Sequence, residues 1–179
     1  METVVISGVG SGMGLLTAQT PIRAGDAVYA GVRDPHGRST ARRQALEAYA
    51  GDHGGYVQVV ALDIHHAHSC QDAVDGVVAA HGRLDAVIHN AAHLFTGSAE
   101  GFTPEQLADS FDTNAIGAHR LNRAALPHLR RQGDGVLLYV GSTITRIVAP
   151  FMMPYVAGMR WTQWPTPPPN RCNRWASRR

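Results

Sequence analysis

Ser142 and Tyr155 stand thirteen residues apart, and Asn114 precedes both. A tyrosine hydroxyl can give a proton to a carbonyl oxygen as its carbon is reduced, or take one from an alcohol as it is oxidised. A neighbouring serine hydroxyl can hold that oxygen by a hydrogen bond. An asparagine amide can support the proton relay. Taken singly, Ser142 is an ordinary loop serine and Tyr155 an ordinary surface tyrosine. Their meaning depends on what else the chain carries.

Ser7-Gly-Val-Gly-Ser-Gly-Met-Gly14 lies between an apolar run and an Ala/Leu-rich stretch. Glycines at a strand-to-helix turn allow a tight bend, close approach of backbone to a pyrophosphate, and close packing of the helix on the strand. The N-terminus of the helix then offers free N–H groups to phosphate. No Gly-Lys-Ser/Thr occurs, and the chain has no lysine at all, so the loop is not of the Walker type and no Schiff-base chemistry is open to it. After the second apolar run come Val32, Arg33 and Asp34. A basic residue at that tip favours the 2′-phosphate of NADP(H), whereas an acid favours the ribose hydroxyl of NAD(H). Arg33 favours NADP(H); Asp34 is in place either to neutralise Arg33 or to take the ribose itself.

These residues need a frame. Strands are expected at 3–7, 27–32, 56–62, 84–89 and 135–140, and helices at 13–24, 39–50 and 70–81. The helix at 39–50 has an arginine-rich face. A single long helix is expected from 104 to 131, with Thr103 as N-cap and Gln106 completing a capping box. The strands are apolar on both faces and alternate with helices. That pattern predicts an α/β fold, a doubly wound parallel sheet of Rossmann-type topology over residues 1–158.

In this order Gly8-x-x-x-Gly12-x-Gly14, Asp63, Asn90-Ala91-Ala92, Asn114, Ser142 and Tyr155 resemble the motifs of the short-chain dehydrogenases/reductases. The resemblance implies a pyrophosphate loop of Gly8, Ser11, Gly12, Met13 and Gly14. It implies an adenine contact at Asp63, cofactor contacts at Asn90 and Ala91, and catalytic roles for Asn114, Ser142 and Tyr155. It also implies that Tyr155 adjoins the cofactor, with a small alcohol or carbonyl as substrate and a homo-oligomeric assembly.

The pattern breaks after residue 158. The family places a lysine four residues beyond its tyrosine, and here Met159 stands there, with Arg160 next to it. A tyrosine has a pKa of about 10, so it needs a nearby positive charge to ionise near neutrality. All three tryptophans and a proline cluster follow, and residues 159–179 carry five arginines and no acid. This tail is expected to be disordered. Read from the third base of the Met159 codon, residues 159–175 permit a helix-forming string ending in glycine, like the family's continuation. A small deletion near codon 159 is therefore expected to have shifted the frame. On this reading the sheet lacks the family's last strands and its fifth strand becomes an edge. The helix carrying Tyr155 is absent or scrambled, which puts oligomer formation in question. The chain is then an impaired oxidoreductase, or a non-catalytic dinucleotide-binding remnant.

The body of the chain carries eleven arginines against fourteen acids, so its net charge gives no reason to expect nucleic acid or an anionic membrane as partner. No apolar run reaches the roughly 20 residues of a membrane span. Cys70 and Cys172 read as free thiols of a reducing compartment, and a cytoplasmic location is expected. His65, His66 and His68 match no zinc spacing and read as a polar helix start.

Overall fold

The computed structural model describes residues 1–10, 12–147 and 150–160. Ser11 and the tail from residue 161 onward, with its expected disorder, lie outside the described residues.

Five parallel strands form one sheet in the order β3-β2-β1-β4-β5. They are β1 (Thr3–Ser7), β2 (Ala27–Val32), β3 (Tyr56–Ala61), β4 (Ala86–His89) and β5 (Val136–Tyr139). Every residue of β1 and β2 is buried. Such strands have no face for water, which is why their sequences do not alternate apolar with polar. Successive residues serve opposite cores. Val5 and Tyr29 join one cluster with Val74, Leu121 and Leu129. Val4 and Val28 join the other with Ala18, Ile22 and Leu46.

The first cluster is covered by α3 (Ala67–His81) and α5 (Gly117–Gln132), the second by α1 (Gly12–Arg23) and α2 (Thr40–Asp52). β3 and β5 are the edges among the described residues, and Leu138 on β5 is 45% exposed. The doubly wound architecture expected from the sequence is thus the one observed.

Two expectations need correction. The helix expected over 104–131 has the expected span but is not α-helical throughout: α4 (Pro104–Phe111) passes through a π-helical turn at Asp112–Ile116 into α5. Its start is as expected. Thr103 Oγ1 accepts from the Gln106 N–H at 3.3 Å, and the Gln106 side chain accepts from the Thr103 N–H at 3.0 Å. The second correction is that Tyr155 lies on a formed helix, α6 (Met153–Met159). This helix packs on α4 and the π turn, where Gly158 allows close approach: a Cβ there would stand 3.0 Å from Asn114 Cβ. Contact with α4 and the π turn supports a helix too short to stand alone.

Candidate active site

β1 continues to β2 and β3 on one side, while β4 and β5 lie on the other. A crevice therefore opens beyond the C-terminal ends of β1 and β4, where ligands settle in such sheets. The residues there are tied together. Ser7 Oγ accepts from the N–H groups of Asn90 and Ala91, each at 3.2 Å, and donates to the Ile88 carbonyl at 3.4 Å. Asn90 Nδ2 donates back to the carbonyls of Ser7 at 3.2 Å and Gly8 at 3.0 Å. The two loops lie so close that side chains are excluded. Gly8 has φ +73°, and a Cβ there would stand 2.6 Å from Ala91 Cα. A Cβ on Gly14 would run into the Gly8 carbonyl oxygen.

A cleft of about 620 Å³ runs outward from this point. Gly8, Gly12, Met13 and Gly14 line it with Asn90 and Ala91. Its next wall holds Val32 with the exposed side chains of Arg33, Arg38 and Arg42. Asp34 lines the cleft beside these arginines. Its carboxylate accepts from the N–H groups of Arg38 at 3.0 Å and Gly37 at 2.8 Å, which hold it below the usual carboxylate range. That turn carries the chain from Arg33 to α2. Three guanidinium groups beside a glycine floor and a helix N-terminus make a place for a molecule with phosphate groups.

A third wall is built from Leu62, Ile64, His65 and Thr113. His65 Nδ1 lies 2.8 Å from Asp112 Oδ2, and Thr113 Oγ1 lies 3.2 Å from His65 Nε2. Arg120 donates to both Asp112 oxygens, at 2.7 and 3.1 Å, and to the Ile64 carbonyl at 3.2 Å. The Arg120 hydrogen bonds hold the Asp112 carboxyl below its ordinary value, with His65 adding to the effect. Asp63 is not among the lining residues, and one of its carboxylate oxygens, Oδ1, accepts the His65 N–H at 3.0 Å.

The residues expected to do chemistry are placed less uniformly. Asn114 is buried in the π turn. Its Oδ1 accepts the His93 N–H at 2.7 Å and its Nδ2 donates to the His93 carbonyl at 2.8 Å. It thereby fixes a residue that lines the cleft without lining it itself. Ser142 caps the 3₁₀ turn Thr143–Thr145, accepting the Ile144 N–H at 3.4 Å, and Tyr155 sits half-buried on α6. Neither lines the cleft. Met159, in the lysine place, is buried, and Arg160 beside it is exposed.

Sequence reading overlooked Arg38, Arg42, His65, Thr113 and His93 as cleft residues. The arginine-rich face of residues 39–50 was a signal for Arg42. For His65 and Thr113 the sequence held none, because their contact joins residues 48 apart. Among the described residues no group of His, Cys, Asp or Glu is placed to hold a metal ion, and no helix is long and apolar enough to cross a membrane.

Comparison with known proteins agrees with this geometry. The sequence profile of the short chain dehydrogenases matches residues 2–158, and the chain belongs to that family. It is 27% identical to 3-ketodihydrosphingosine reductase of Bacteroides thetaiotaomicron over 141 residues, 79% of this chain and 47% of that protein. The chain spans about half the length of the curated relatives it matches. The alcohol dehydrogenase of the archaeon Thermococcus sibiricus, complexed with 5-hydroxy-NADP, superposes with a TM-score of 0.79 at 25% identity, covering 89% of this chain and 66% of that one. An NAD+-bound xylitol dehydrogenase superposes with a TM-score of 0.81 at 19% identity, covering 89% of this chain and 60% of that one, a likeness of fold.

Proposed function

We propose that this chain binds a nicotinamide dinucleotide, NADP(H) in preference to NAD(H), in the cleft at the ends of β1, β2 and β4. The observation that carries this reading is the joint lining of one cleft by the glycine loop, Asn90-Ala91 and Arg33, Arg38 and Arg42. The fit is specific at the floor. Gly8 and Gly14 stand where a Cβ would collide with backbone, and a Cβ on Gly12 would meet nothing within 4 Å. The loop is thus bare toward the cleft, as a pyrophosphate requires. Gly8, Ser11, Gly12, Met13 and Gly14 would hold the phosphates, and Asn90 and Ala91 the adjoining sugar. Arg33, with Arg38 and Arg42, would meet the 2′-phosphate.

When bound, the nicotinamide supplies or accepts a hydride. The matching reaction is interconversion of a small alcohol and its carbonyl, with Tyr155 moving the proton at its Oη, Ser142 holding the substrate oxygen and Asn114 supporting the relay. Met159 cannot lend Tyr155 a positive charge, so turnover is impaired. A second reading, dinucleotide binding without catalysis, is favoured by the positions of Ser142 and Tyr155 outside the cleft lining and by the burial of Met159. The loss of lysine and the change of composition after residue 158 are read together as a shifted frame, which resequencing around codon 159 tests.

The decisive experiment pairs fluorescence titration of NADPH and NADH with turnover on a panel of carbonyl compounds. Tighter binding of NADPH without turnover supports the binding-only reading. Slow turnover with NADPH supports the impaired enzyme. No binding of either dinucleotide overturns both.

A further inference from the structure

We propose that the imidazole of His93 is a further catalytic residue, giving the proton to the substrate oxygen in carbonyl reduction and taking it back in alcohol oxidation. It carries the turnover that an impaired Tyr155 leaves. The inference rests on the dinucleotide reading above and adds a second proton group to its reaction.

The location follows from the order of the strands. β2 lies on one side of β1 and β4 on the other. A dinucleotide whose 2′-phosphate meets Arg33, Arg38 and Arg42 and whose pyrophosphate lies on the glycine loop sends its other half toward β4. The loop after β4 lines the cleft there from Asn90 to His93. Of these four residues His93 alone has a side chain that exchanges a proton near neutrality. Tyr155 and Ser142 do not line the cleft. The second cleft histidine, His65, has both ring nitrogens engaged, by Asp112 at 2.8 Å and by Thr113 at 3.2 Å.

The backbone of His93 is held while its ring is left open. Asn114 Oδ1 accepts the His93 N–H at 2.7 Å, and Asn114 Nδ2 donates to the His93 carbonyl at 2.8 Å. The Phe95 ring lies 4.2 Å away at 38° and supports one face of the imidazole. The residue is exposed, and its ring makes no hydrogen bond to another described residue. Its nitrogens can therefore turn to a substrate oxygen and to water. In reduction the hydride electron pair forms a C–H bond at the carbonyl carbon. The π pair of the C=O bond moves to oxygen, which takes the proton from the imidazolium nitrogen. The carbonyl is reduced, the nicotinamide oxidised and the imidazole left neutral, to be protonated again from water. An imidazole does this without a neighbouring lysine, which is the group this chain lacks.

Two measurements on the full chain test the proposal. The first is labelling by diethyl pyrocarbonate, read residue by residue by mass spectrometry. Saturating NADP+ should slow the labelling of His93 by about tenfold or more. His119, exposed on α5 and outside the cleft lining, should label at the same rate with and without it. The second is NADPH oxidation with benzaldehyde, diacetyl and ethyl acetoacetate. His93→Ala keeps both backbone bonds to Asn114, so NADPH affinity should stay within about threefold. Its kcat should fall by about a hundredfold, the usual worth of a general acid. Added imidazole should raise the turnover of His93→Ala by about tenfold and leave Tyr155→Phe unaffected. A purely structural role for His93 would give no such rescue. Full turnover in His93→Ala overturns the proposal, as does labelling of His93 that NADP+ does not slow. NADPH binding without wild-type turnover of any of the three compounds overturns it and leaves the dinucleotide reading standing. Failure to bind either NADPH or NADP+ overturns both.

Discussion

The Asn90 side chain spans the crevice to the glycine loop: its Nδ2 donates to the Gly8 carbonyl at 3.0 Å, and also to the Ser7 carbonyl at 3.2 Å. One amide on the loop after β4 thus fixes the turn after β1. Asn90→Ala leaves two carbonyls of the loop without that donor. We expect a loss of about 1–2 kcal/mol in urea unfolding and a fall in NADPH affinity of about tenfold or more. Unchanged affinity in the folded variant would remove Asn90 from the loop's support.

Gly14 and Gly12 differ in what a methyl group would meet. At Gly14 it collides with the Gly8 carbonyl, so Gly14→Ala must push α1 away from the loop and should abolish dinucleotide binding. At Gly12 it meets nothing within 4 Å, but φ is +55°, which costs a non-glycine residue about 1 kcal/mol. Gly12→Ala should therefore fold nearly as well as the wild type, with a lowered melting temperature. Thermal unfolding and NADPH titration of both variants check the contrast. Equal behaviour would mean that the close approach at Gly14 is not what the loop depends on.

The centre of the sheet was readable from sequence because its strands are buried on both faces. β2 was expected over 27–32 and runs over Ala27–Val32. The capping box at Thr103 was readable because both partners lie within four residues. The π turn was not. It coincides with the bonds of Asn114 to the backbone of His93, a tertiary contact that leaves no trace in the helical period. The cleft was half readable. Glycines announce a close approach by their type, but Arg38 faces the cleft beyond a loop held by Asp34, and Asp34 looked like a competitor of Arg33 rather than the brace of a turn. Tyr155 was expected on a lost helix because Met159 breaks the motif. The helix forms because Gly158 lets it pack closely against Asn114.

His89 stands where the family motif has an asparagine, and its burial makes the fold sensitive to acid. Its Nε2 lies 2.8 Å from Asn122 Oδ1, its ring stacks on Tyr139 at 4.6 Å, and its Nδ1 has no partner among the described residues. Burial lowers its pKa to about 4, opposed in part by Asn122. An unfolded histidine titrates near 6.5. Above that value both states are neutral at this site. Between about 6.5 and 4 only the unfolded chain takes the proton, so stability falls as pH falls, by about 3 kcal/mol in all. His89→Asn should flatten the stability profile over that window by up to one proton. An unchanged slope in the folded variant would show that His89 is not the group responsible.

Cys70 is fully buried on the core-facing side of α3, and burial pushes its thiol up to about 11, against a lowering by Arg120. A protonated, inaccessible thiol is a poor nucleophile. In a Cys172→Ser background, iodoacetamide should leave the native chain unmodified at pH 8 and alkylate it at one site in urea. The native rate should follow the frequency of unfolding rather than reagent concentration once reagent is in excess. Rapid native labelling would place Cys70 in a site that opens readily.

Met159→Lys would restore the Tyr-x-x-x-Lys pattern in sequence, and the fold argues that it does not restore the chemistry. Met159 is 3% exposed on the last turn of α6, which packs against α4 and the π turn. An ammonium there loses its water, and an unpaired buried charge is costly enough that the group neutralises or the helix leaves its seat. A neutral lysine lends Tyr155 no positive charge, and a displaced α6 moves Tyr155 with it. Met159→Lys should therefore lower stability by about 2 kcal/mol or more, with no gain in carbonyl reduction. Met159→Leu, which keeps the volume and the apolar surface, should cost under about 1.5 kcal/mol. Urea unfolding and NADPH oxidation assays on both variants test the argument. Turnover appearing in Met159→Lys at wild-type stability would mean that the lysine finds a path from α6 to the tyrosine, and that the missing charge alone had silenced the site.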